Sequence, residues 1–72
     1  VPAIDEFRVE TSEEHPIRSV YLYDLEGRLV KAHTDIHASS FVVPCHQLKA
    51  GVYMLQTQTA KYRVGKQIAI QR

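Results

Sequence analysis

Four histidines and one cysteine are the side chains of this 72-residue chain best suited to metal or nucleophile chemistry: His15, His33, His37, His46 and Cys45. Their spacing favours neither. Tetrahedral zinc asks for ordered ligand pairs, and only His33-x3-His37 has such a form, across an expected turn. Cys45 and His46 are adjacent, so in a strand they point to opposite faces. A Cys-His nucleophile also needs a third group to orient the imidazole and a cleft for substrate. The residues therefore read as solvated loop histidines and a buried, inert Cys45. Glu13-Glu14 reads as a solvated loop, because paired catalytic carboxylates must flank a groove. Lys61, Tyr62, Arg63 and Lys66 have the composition of a nucleic-acid strip. Alternation turns Tyr62 inward and Arg63 outward, which separates ring from charge. Lys66 falls on the apolar face and is expected to reach water along its stem. Tyr21, Tyr23, Tyr53 and Tyr62 read as amphipathic residues at the core edge, their hydroxyls on backbone or water. No catalytic site, metal or cofactor is expected.

The elements that position these residues alternate with period two almost throughout, the mark of half-buried strands. In the run from Tyr62 to Ile70, Tyr62, Val64, Ile68 and Ile70 share one face, interrupted by Lys66. Val52–Thr57 is apolar on both faces at its start and is expected to be central. Ile17–Tyr23 is β-branched and aromatic. Arg28–His33 and Ser40–Val43 make two more strands, and Phe7–Thr11 is expected as a first, edge strand whose charges discourage pairing with another chain. Turn chemistry separates the runs. Gly27 closes Asp24-Leu25-Glu26-Gly27, where a hairpin demands positive φ, and the Asp24 carboxylate can accept backbone N–H groups two residues on. Gly51 closes a similar stretch, and Pro16 and Pro44 mark strand ends. Five to seven short strands at this spacing, with turn signals between, suggest an all-β sandwich or small barrel, one domain over 1–72.

A domain this small buries only about 60% of the surface its unfolded chain exposes, so its core is thin. A single cysteine excludes an internal disulfide framework and leaves the compartment open. A formal charge of +1 argues against a dedicated nucleic-acid or anionic-membrane binder. No apolar run is long enough to form a membrane-spanning helix. Val1-Pro2-Ala3 lacks the features of a secretory leader, and a parent protein is expected upstream.

Three segments carry the reading further. Val20-Tyr21-Leu22-Tyr23-Asp24-Leu25-Glu26-Gly27-Arg28-Leu29-Val30 resembles the "v-x-i-Y-D-l-x-G-r-l-v" hairpin of the type IX secretion system C-terminal sorting domains of Bacteroidetes. Leu48-Lys49-Ala50-Gly51-Val52-Tyr53-Met54-Leu55 is similar to that family's "l-x-x-G-v-Y-x-v" turn and strand. The ending Lys66-Gln67-Ile68-Ala69-Ile70-Gln71-Arg72 resembles its closing strand. The chain departs from the family at Val1-Pro2, where Asn-Pro is common, and at Thr59-Ala60-Lys61, which lacks the usual Gly. The resemblance implies an all-β, small immunoglobulin-like antiparallel β-sandwich of about seven strands. It implies a sorting signal at the end of an exported protein, which passes the periplasm and reaches the outer membrane, cell surface or medium through the type IX translocon. It further implies that, as in most family members, a sortase-like peptidase removes the domain and joins the cargo to anionic lipopolysaccharide, whereas some members keep the domain. The expected signal residues are Tyr23, Asp24, Gly27, Arg28, Gly51, Tyr53, Lys66, Ile68, Ile70 and Arg72. Deletion of the last five residues is expected to stop surface delivery.

Two other classes compete. A non-catalytic adhesion or carbohydrate-binding module of the same fold would show an exposed aromatic platform or an acidic calcium loop. A structural spacer would be followed by more chain, against which the ending at Arg72 speaks. Open sheet edges also allow a homodimer.

Overall fold

Strands form where the sequence alternates. The computed structural model describes residues 2–3 and 5–71 and holds seven strands and no helix among them. They are β1 (Pro2–Ala3), β2 (Glu6–Glu10), β3 (Ile17–Tyr23), β4 (Leu29–His33), β5 (Ser40–Pro44), β6 (Gly51–Thr59) and β7 (Arg63–Ile70). The larger sheet runs β1-β7-β6-β3-β4 and the smaller is the pair β2-β5. The architecture is the all-β, immunoglobulin-like sandwich. Six strands pair antiparallel, and β1 adds to β7 in parallel, setting Pro2 beside Ala69 and Ala3 beside Ile70. The edge strand expected to come first is thus the second, and one short pairing is not antiparallel.

The core lies between the sheets. The smaller sheet contributes Phe7, Val9 and Val43, and the larger contributes Ile17, Val20, Leu22, Tyr53, Leu55, Ile68 and Ile70, with Cys45 fully buried beside them. Strand β6 is central, as its two apolar faces required. In β3 a register shift between Ile17 and Ser19 keeps Ile17, Val20 and Leu22 all in the core, although strict alternation would separate Ile17 from the other two. Pro44 closes β5 without costing the sheet a hydrogen bond. The flanking Cys45 N–H donates to the Asp5 carbonyl at 2.7 Å, so the Pro44 nitrogen faces away from β2.

Two expectations need correction. Tyr62, Val64, Lys66, Ile68 and Ile70 do occupy one side, but Val64 is 48% exposed and Tyr62 39%, while Ile68 and Ile70 are buried. Two strands cannot cover a sheet of five, and the start of β7 is left open. The histidines are not all solvated. His33 lies in β4 with its ring 5.1 Å from that of Phe41, and its Nε2 is buried with no hydrogen-bond partner among the described residues. Burial, assisted by the Lys31 charge, pushes its pKa below 6.5. His15 meets Tyr62 edge-on at 5.6 Å. His37 is exposed in the following loop, away from the ring contact that holds His33.

The β6–β7 hairpin dispenses with glycine by using a hydroxyl. Thr59 Oγ1 accepts the N–H groups of Lys61 (3.2 Å) and Tyr62 (3.1 Å), and the Thr59 N–H donates to the Tyr62 carbonyl at 2.9 Å. A threonine side chain that folds back on its own turn satisfies donors that the chain reversal would otherwise leave open.

Candidate recognition surface

A single carboxylate holds the first hairpin together. Asp24 Oδ1 accepts the N–H of Glu26 and the N–H of Arg28, both at 2.9 Å, and Oδ2 accepts Arg28 Nε at 3.0 Å. The Gly27 N–H donates to the Asp24 carbonyl at 3.0 Å, and Arg28 Nη2 reaches Glu26 Oε1 at 2.7 Å. Gly27 has φ +85°, a region that side chains rarely occupy. The N–H of Arg28, followed by its guanidinium and the N–H of Glu26, holds the Asp24 carboxyl below its ordinary 3.8 against a smaller opposing effect of burial. A depressed carboxyl pKa contributes stability that is complete above the unfolded value and is lost as pH falls through the folded one. An Asp24→Ala variant is therefore expected to melt a few degrees below the parent at pH 7. The gap should close in strong acid, as thermal melts across pH 2 to 7 would record. A gap that persists unchanged in acid would remove the carboxylate from this role.

A tyrosine fixes the second turn. The Tyr53 hydroxyl donates to the Lys49 carbonyl at 2.7 Å while its ring sits in the core. The Leu48 N–H donates to the Cys45 carbonyl at 3.1 Å. Gly51 follows at φ +154°. No atom lies within 4 Å of where a side chain would begin at Gly27 or Gly51, so substitution there strains backbone only.

Pairing registers show which expected signal residues come together. Tyr23 faces Met54 and Gly51 faces Ile70, so the Asp24–Arg28 turn, Gly51 and the end of β7 gather at one end of the larger sheet. Tyr23 is half-buried, while Gly27, Arg28 and Gly51 are exposed. Tyr53, Ile68 and Ile70 belong to that end but are buried, so their side chains hold the core and are not offered to a partner. Lys66 stands apart, beside Leu55 in mid-strand on the inner side of the sheet. Arg72 lies outside the described residues. Sequence reasoning passed over Thr59, and it did not separate turn formers from core residues within the motif. The alternation of β7 carried that distinction, because Ile68 and Ile70 share parity with the buried side.

No group of three or more histidine, cysteine or acidic side chains among the described residues is placed to hold a metal ion. The profile of the family described as secretion system C-terminal sorting domain matches residues 1–71. Curated proteins and solved structures give no match.

Proposed function

Since this chain belongs to the type IX secretion C-terminal sorting domain family, whose members serve export to the outer membrane, cell surface or medium and are not catalysts, we propose that it carries a parent protein from the periplasm through the outer-membrane translocon. The observation that carries this reading is the family match over residues 1–71. The fold supports a signal read as a shape. Apart from Lys66 in mid-β7, the motif residues that remain exposed among the described residues are turn formers at one end of the larger sheet, and an immunoglobulin-like sandwich implies no activity by itself. In this reading the Asp24–Arg28 turn, Gly51 and the end of β7 form the recognised surface, and Arg72 is a further signal residue. A sortase-like peptidase then removes the domain and joins the cargo to anionic lipopolysaccharide. Deleting the last strand mixes signal with fold, because it removes the buried Ile68 and Ile70 as well.

A fusion separates the two effects. The chain is placed behind a leader-bearing fluorescent reporter in a host with the type IX system, and in the same host lacking the translocon pore. Reporter at the surface or in the medium of the first, and retained in the periplasm of the second, is the expected result. Retention in both strains, with the domain folded, overturns the proposal.

A further inference from the structure

Among the described residues the smaller sheet has no third strand, and the gap has the shape of one. Beside β2 lies an open groove of about 390 Å³, lined among others by Phe7, Val9, Leu55, Tyr62, Val64 and Lys66. Its floor is the uncovered inner side of β7. Its wall is the open edge of β2, which among the described residues pairs only with β5. The N–H of Thr11 donates to the Ser39 carbonyl at 2.8 Å, and the N–H of Cys45 donates to the Asp5 carbonyl at 2.7 Å. These bonds bracket the ladder and fix its phase. Residues 5, 7, 9 and 11 turn their main-chain groups to β5, and Glu6, Arg8 and Glu10 turn theirs to the groove. An edge with free donors and acceptors over an apolar floor takes an extended peptide as an added strand.

Lys66 adds a charge requirement. It is exposed, lines the groove and makes no ion pair among the described residues. A strand covering the floor brings its inward side chains over Tyr62, Val64 and Lys66. The geometry points to a strand-accepting site on β2, whose occupant is an extended segment of a partner protein with apolar residues and one carboxylate on its inward side. A second copy of this chain fits less well. Docked edge to edge with its own core side kept covered, its β2 presents Phe7 and Val9 to Lys66 and no anion, because Glu6 and Glu10 face outward. The site stands whichever surface the translocon reads.

The test uses a short, end-blocked peptide alternating lysine with valine, its central valine replaced by glutamate, titrated into the chain while amide shifts and amide exchange are followed. Binding should perturb and protect the amides of Glu6, Arg8 and Glu10. A glutamine twin should bind roughly five- to tenfold more weakly, the scale of one charge-assisted contact. Lys66→Gln, an exposed change whose folding is checked by its melting temperature, should erase that difference. Of two peptides N-methylated at alternate amides in opposite phases, the one whose methyl groups face β2 should not bind. Equal affinity for the glutamate and glutamine peptides, absence of binding, or full binding of both methylated peptides each overturns the assignment. So does an unliganded chain that elutes as a dimer with β2 already protected, which makes a second copy the occupant.

Discussion

An Ile68→Ala variant is expected to lose about 2–5 kcal/mol of unfolding free energy, the range for truncating a fully packed aliphatic side chain. Ile68 is 2% exposed and pairs across the sheet with Tyr53, whose hydroxyl fixes the preceding turn. A domain of this size has a total stability on the order of 4–10 kcal/mol, so the variant sits close to its folding threshold. Chemical denaturation with the slope held constant measures the loss. A change below about 0.5 kcal/mol would place Ile68 outside the core and return it to the candidate contact residues. The result bears on secretion phenotypes directly. A defect in an Ile68, Ile70 or Tyr53 variant reports folding. A defect in an Arg28 variant of unchanged melting temperature reports recognition.

A Gln56→Pro variant should show no folded population at all. Gln56 sits in the middle of β6, facing Tyr21 on one side and Gly65 on the other. Its main-chain N–H is committed to one of those neighbours whichever way it points. Proline removes that donor and forces its ring into the ladder of the one strand on which the larger sheet is centred. The side chain is only partly buried, so Gln56→Ala serves as the control and should stay within about 1 kcal/mol of the parent. Circular dichroism and amide dispersion distinguish the two. A folded proline variant would contradict the strand order, since proline is tolerated at sheet edges and not at their centres.

Much of this architecture is legible in the residues. Ile17–Tyr23 is a strand from end to end because β-branched and aromatic residues predominate between Pro16 and Asp24. The hairpin after it is legible because Asp24 and Gly27 each have one local use, and both are realised. What alternation cannot reveal is whether anything covers the side it defines. Tyr62 and Val64 have the parity of Ile68 and Ile70, yet they stay open because coverage depends on how many strands the opposite sheet holds. The same limit hid the burial of the His33 Nε2 atom, whose ring meets Phe41 of β5, a strand distant in the sequence pattern. The bridge of Pro2–Ala3 to β7 escaped because two residues carry no periodicity. Within the candidate site, turn formers and core residues look alike as a motif, and only registers separate Gly51 from the Ile70 it faces.

The parallel run of β1 beside the end of β7 has a mechanical consequence. Tension applied between the two ends of the chain pulls these neighbours in opposite directions along their common axis. The bonds joining them then share the load together instead of tearing one after another. Two paired residues make a short clasp in that path, whereas β6 and β7 face each other over eight. A steady tug on the upstream side would free the clasp and leave the long ladder standing.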